Sequence, residues 1–153
     1  MSHFLSKELL NEIRGDANFQ SFLNESMSVR KRKAYTDEVT IFLSHKHSDR
    51  PILENVIALL KKINVHVYVD WNDEGMPPTA SGNTATRIKQ KIRECKKFIL
   101  LATEDAIASR WCNWELGYGD ACKFNDDNIA LFPVNEKGAY NSLYKGNEYM
   151  NIY

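Results

Sequence analysis

The chain has 153 residues, 43% of them hydrophobic and 26% charged, enough for one ordinary core and too little for two. Its 20 Lys and Arg balance 20 Asp and Glu, which removes any overall electrostatic case for nucleic acid or an anionic membrane as partner. No segment approaches the roughly 20 apolar residues of a membrane span, and acids occupy the stretch where a signal peptide carries its apolar run, so a cytoplasmic location is expected.

From the N-terminus, Phe4, Leu5, Leu9, Leu10 and Ile13 fall at helical spacing, Gly15 interrupts them, and Phe19, Phe22 and Leu23 resume. This pattern predicts two short amphipathic helices. Arg30 to Lys33 form a basic run that reads as a solvated linker. Residues 1–37 are therefore expected to be a helical extension ahead of a domain spanning 38–153.

VTIFL, residues 39–43, is a β-branched and apolar run that predicts a strand, followed at once by the polar SHKHSDR. Leu53, Val56, Ile57, Leu60 and Ile63 then share one helical face, with Asp49 as a candidate N-cap and Pro51 in the first turn. VHVYVD, residues 65–70, predicts a second strand, and the loop after it holds the pair Pro77-Pro78. Ala85, Ile88, Ile92 and Cys95 predict a helix, and KKFILLA a strand apolar on both faces. SRWCNWELGYGDA predicts a short loop and helix, and IALFPV, residues 129–134, a fourth strand. After Pro133 the pattern fades, which predicts irregular structure or one more short strand near Tyr149 to Tyr153, and the lack of a closing helix points to a truncated C-terminal end.

Strands alternating with helices, as continuous apolar runs, argue for a parallel sheet covered on both faces. Such sheets bind ligands at the carboxyl ends of their strands. Here those ends carry Ser44 to Asp49, Asp70 to Glu74, and Thr103 to Asp105 running on to Trp111 and Glu115.

The turn after the first strand holds no glycine, which argues against a dinucleotide-binding redox enzyme, and no P-loop is present. Ser44 lacks the glycine-flanked elbow of a nucleophilic serine. His45 and His47 with Asp49 offer two imidazoles and one carboxylate without a third firm ligand, so no metal is expected and the histidines read as surface loop residues. Cys95, Cys112 and Cys122 have neither CxxC spacing nor a nearby histidine partner and read as buried thiols.

Trp111 and Glu115 are four apart, hence on one helix face, while Trp114 and Tyr118 share the next. An indole beside a carboxylate suits a nucleotide's N-glycosidic bond, with the ring as stacking surface and the acid stabilising positive charge on the sugar. On these residues alone, tryptophans at helical spacing in a packed core are the alternative.

Three blocks in order, VTIFLSHKHSD, the run VYVDWNDEGMPPTASGNTATRIKQKIRECKKFILLAT, and SRWCNWEL, together resemble a bacterial Toll/interleukin receptor (TIR) domain. The resemblance implies a flavodoxin-like α/β fold. It also implies an NAD glycohydrolase or cyclase that breaks the nicotinamide–ribose bond, giving ADP-ribose or a cyclic ADP-ribose isomer in antiphage defence signalling. Glu115 takes the catalytic position in that pattern and Trp111 lines the pocket. Phe42, Leu43, Ser44 and His45 at the first strand end, and Asp70 and Trp71 at the second, are the implied substrate contacts. NAD is then substrate rather than cofactor, and a homo-oligomer through the loop 71–82 and adjacent helices is implied. The alternative within the same resemblance is a non-catalytic scaffold for protein–protein assembly.

Overall fold

Every apolar run that predicts a strand becomes part of one parallel sheet in the computed structural model, which describes residues 5–7, 10–11, 39–76, 79–135 and 147–153. The strands are β1 (Leu5–Ser6), β2 (Thr40–Ser44), β3 (His66–Tyr68), β4 (Lys97–Ala102) and β5 (Ile129–Asn135). Their spatial order is β1-β5-β4-β2-β3. All four pairings are parallel, among them Phe42 opposite Phe98 and Tyr68, and Leu100 opposite Leu131. Setting β1 aside, the order is that of the flavodoxin-like doubly wound sheet, with the direction of winding reversing at β2. β1 occupies the edge where that arrangement carries its last strand.

The faces are covered by α1 (Arg50–Lys62), α2 (Gly82–Glu94), the short α3 (Glu104–Ala108) and α4 (Arg110–Lys123). Side chains alternate along each strand, so neighbouring residues feed different core layers. Phe42, Phe98 and Leu100 pack with Ile88 and Ile92 of α2 and with Cys112 and Leu116 of α4. Leu43 and Leu101 pack instead with Leu53, Val56 and Leu60 of α1 and with Leu10.

The caps follow local chemistry. Ser81 and Thr84 close a reciprocal capping box at the start of α2, and the hydroxyls of Thr103 and Ser109 accept backbone N–H groups at the starts of α3 and α4. Pro51 sits in the first turn of α1 as predicted, but the Asp49 carboxylate caps nothing: it accepts the Thr103 hydroxyl at 2.5 Å instead. α1 stops before Asn64, whose φ of 59° is the left-handed conformation that ends many helices. Ile63 thereby leaves the predicted apolar face and is 65% exposed.

Two terminal expectations change. Leu5 and Ser6 were expected in a helix and instead form the edge strand, opposite Val134 and Asn135. Lys7, Leu10 and Asn11 are helical, and Leu10 is fully buried. The remainder of the expected two-helix segment and the basic linker lie outside the described residues, as does Pro77-Pro78. At the other end, Glu148–Ile152 is a 3-10 turn and not a strand. The sheet edge beside β5 is already taken by β1, and the tail instead inserts Met150 into the α4 side of the core and bonds Tyr153 to Asp120 at 2.9 Å.

Gly119 and Gly117 of α4 make a matched pair. A Cβ on Gly119 would stand 2.9 Å from the Phe98 ring, whereas one on Gly117 meets nothing within 4 Å. Replacing a helical glycine by alanine gains about 1 kcal/mol in propensity, and forcing a methyl into a packed core costs about 1–3 kcal/mol. Gly117→Ala should thus raise the denaturant midpoint and Gly119→Ala lower it. Equal shifts would contradict the packing described here.

Candidate active site

α4 is set by the Ser109 cap at its start and by burial of Cys112, Leu116 and Gly119 on the sheet side. That rotation carries Glu115, one residue before Leu116, under the carboxyl end of β2. The Ser44 hydroxyl donates to its Oε2 at 2.5 Å, and both residues are almost wholly buried, at 1% and 3% exposure. Burial raises the Glu115 pKa to about 8, and the negative charge of Asp70 pushes the same way. Hydrogen bonds from Ser44 and Trp111 oppose it only in part. At neutral pH the resting carboxyl therefore holds its proton.

Trp111 is 37% exposed beside this acid. Its ring lies 5.0 Å from that of Trp114, and Trp114 stacks on Tyr118 at 6.4 Å, so one ladder of rings runs along α4. Trp114 is packed against the core, as the helical spacing suggests.

On the other side of β2, His45 is buried rather than a surface loop residue. Its side chain is 3% exposed, Nδ1 contacts the Leu43 carbonyl at 3.0 Å, and Nε2 lies 3.5 Å from Asp70. Burial lowers its pKa, against the pull of Asp70 upwards. Trp71 meets the imidazole edge-on at 5.0 Å and carries the Arg50 guanidinium over its own ring at 4.9 Å. Phe42 and Leu43, at the same strand end, are buried in the two core layers.

The spacing of residues gives no hint of two further features. His47, not singled out as a substrate contact, approaches Asp70 at 3.6 Å. The histidine pair takes Asp70, two residues past the end of β3, as its acid, whereas Asp49 turns to Thr103. The second feature fastens the loop after β3. Asp73 accepts Tyr68 Oη at 2.7 Å, Arg87 Nε at 2.8 Å, a second Arg87 nitrogen at 2.9 Å and the Gly75 N–H at 2.9 Å. The guanidinium above all, with these other donors, holds its carboxyl well below the usual carboxylate range.

Of the cysteines, Cys95 and Cys112 are buried, with thiols pushed up to about 11 by burial, but Cys122 is exposed on α4. Among the described residues no helix is long and apolar enough to cross a membrane.

A buried acid and an exposed indole thus converge at the strand ends where the winding reverses, the position at which such sheets take their ligands. Several known proteins are similar to this chain. The protein named "Probable 3' cyclic ADP-D-ribose synthase ThsB'" from Bacillus cereus (strain MSX-D12) is 31% identical over 115 residues, covering 74% of this chain and 58% of that protein. "Putative cyclic ADP-D-ribose synthase TIR2" from Cytobacillus dafuensis is 26% identical over 97 residues, 61% of this chain and 24% of that protein. The chain thus spans little more than half of the first relative and a quarter of the second. Among solved structures, the TIR domains of the activated Roq1 resistosome, which directly recognises the pathogen effector XopQ, superpose with a TM-score of 0.47 at 18% identity, covering 63% of this chain and 56% of that one. The TIR domain profile matches residues 41–152, and the chain belongs to the TIR domain family.

Proposed function

We propose that this chain cleaves NAD at the bond between nicotinamide and ribose, with Glu115 as the catalytic residue, in antiphage defence signalling. The observation that carries the reading is the Glu115 carboxyl, buried, bonded to Ser44 and flanked by the exposed Trp111. The names of the two relatives above, one a "Probable 3' cyclic ADP-D-ribose synthase" and one a "Putative cyclic ADP-D-ribose synthase", support it.

Nicotinamide is a cation in the dinucleotide and a neutral ring once released. The C1′–N bond breaks with its electron pair going to the ring nitrogen, so no acid has to protonate the leaving group. The sugar is left with oxocarbenium character, and a carboxylate fixed beside it stabilises that charge without reorganising. The substrate's own positive ring favours loss of the Glu115 proton on binding, which couples occupancy to activation. Capture by water then gives ADP-ribose and a proton; capture by an adenine nitrogen or a ribose hydroxyl gives a cyclic product. Ser44 holds the carboxylate in place, and Trp111 offers a stacking face worth about 1–3 kcal/mol by analogy with bases on aromatics. Assembly into a homo-oligomer through the loop 71–82 and adjacent helices belongs to the same reading, so the protein is assayed at high concentration.

The test is chromatography with mass spectrometry of NAD incubated with concentrated protein and with Glu115→Ala. Release of nicotinamide that disappears in the variant supports the enzyme, and the accompanying nucleotide assigns hydrolase or cyclase. No release under assembling conditions transfers the case to a non-catalytic scaffold. Trp111→Ala should lower kcat/KM by about 5- to 150-fold, the kinetic equivalent of that stacking energy; an unchanged value removes Trp111 from the binding face.

A further inference from the structure

We propose that His45, His47 and Asp70 form a binding site for one divalent d-block cation of the zinc class, on the side of β2 opposite Glu115. The three donor atoms come from two strand ends that the sheet places side by side, and all lie within 4.8 Å of one another.

The decisive group is His45. Its Nδ1 faces the Leu43 carbonyl at 3.0 Å, and a carbonyl only accepts, so that nitrogen carries the proton. The other nitrogen, Nε2, is then a lone pair. It is buried, has no hydrogen-bond partner among the described residues, and lies 3.5 Å from Asp70 Oδ1. A buried imidazole lone pair facing the oxygen of a half-buried carboxylate is stabilised by a positive centre between them.

A metal ion meets that need with little rearrangement. Bonds of about 2.0–2.1 Å in tetrahedral geometry set neighbouring donors about 3.3–3.4 Å apart. The observed separations are 3.5 Å from His45 Nε2 to Asp70 Oδ1 and 3.6 Å from His47 Nε2 to Asp70 Oδ2, so a small turn of the carboxylate presents one oxygen to both imidazoles. The remaining edge, between the two imidazoles, closes by rotation of His47, whose side chain is 77% exposed and free to turn. Supporting contacts are already built: the Nδ1–H of His45 on a backbone carbonyl is a customary outer partner of a metal-bound imidazole, and Asp70 Oδ1 is steadied by the Trp71 N–H at 2.7 Å. Imidazole and carboxylate donors select zinc, cobalt or nickel over magnesium or calcium. Three protein ligands leave a fourth position for water or an anionic oxygen.

The experiment strips the full chain with a chelator and titrates it with Co(II), then displaces the cobalt with Zn(II), followed by visible absorption and calorimetry. Expected is one Co(II) per chain, with d–d bands of tetrahedral character that vanish on adding Zn(II). His47→Ala and Asp70→Asn should each weaken cobalt binding at least tenfold, and Cys122→Ser should leave it unchanged. His47 is exposed, so its variant folds even if that of Asp70 does not, and circular dichroism checks both. The absence of cobalt bands at millimolar metal, or equal titrations for the parent and His47→Ala, overturns the proposal. Because no NAD enters the measurement, its failure leaves the glycohydrolase reading untouched, and the reverse holds.

Discussion

Glu115→Gln lowers kcat/KM for NAD cleavage by about 10³-fold, the scale of losing a preorganised electrostatic partner of the transition state, and at the same time stabilises the fold in alkaline buffer. The two effects share one cause. Glu115 is bonded to Ser44 in a site that excludes water, and its pKa rises from 4.5 to about 8. Between those values the native state keeps a proton that the unfolded chain has released. Stability from this group is fully present below about pH 4.5, falls as pH rises, and is lost by about pH 8, at up to about 1.4 kcal/mol per pH unit. Glutamine cannot ionise and shows no such fall. Denaturant midpoints at pH 5 and pH 9 should therefore drop for the parent far more than for Glu115→Gln. In the parent, kcat/KM should climb towards an apparent pKa near 8 as the carboxylate forms. A flat profile from pH 6 to 9 would remove the carboxylate from the reaction.

Asp73→Asn costs about 2–3 kcal/mol, from the opposite kind of acid. Its two oxygens receive four donors, two of them from one guanidinium in the bidentate geometry that suits it. Breaking a fully buried pair costs about 3–5 kcal/mol, and the partial exposure of Arg87, at 31%, lowers the figure here. Asparagine keeps the shape but turns an NH2 towards donors it cannot serve. Because the native carboxyl titrates well below its ordinary range, its contribution is fully present above about pH 4 and disappears only as pH falls through the native value. Urea midpoints at pH 7 for the parent, Asp73→Asn, Arg87→Met and the double variant form a cycle whose coupling isolates the pair. Additive losses would mean that Asp73 acts mainly through Tyr68 and Gly75.

Much of the layout was legible because it depends on period alone. The runs at 39–43, 65–70, 96–102 and 129–134 carry their strand signal in β-branched and apolar composition, and the helices between them show a clear apolar stripe. Period cannot tell which edge a two-residue segment will join: Leu5 and Ser6 obey helical spacing, yet the open hydrogen-bonding edge of β5 outweighs it. The short 3-10 turn of the tail was not legible for the complementary reason, since Tyr149 bonds Asn113 and Tyr153 bonds Asp120 on α4, contacts with no local signature.

Site residues divide similarly. The i, i+4 relation of Trp111 and Glu115 is local, but the bond from Ser44 to Glu115 spans 71 positions, and the meeting of His45 and His47 with Asp70 rests on which strand lies beside which. An HxH step at one strand end and an aspartate at the next, once β2 and β3 are known to be neighbours, is the signal that finds it.

The alternation along β2 has a consequence for how the domain tolerates change. Ser44 leaves the strand on one side of the sheet and His45 on the other, so a hydroxyl and an imidazole adjacent in the chain serve chambers divided by the backbone itself. Point substitutions can alter the contacts of one chamber while leaving those of the other in place, although the charge of Asp70 still reaches Glu115. An insertion or deletion of one residue within residues 40–44, however, would exchange their addresses, placing the imidazole over Glu115 and the hydroxyl beside Asp70. The strand thus behaves as a keyed connector, permissive to replacement of its pins and intolerant of any shift in their count.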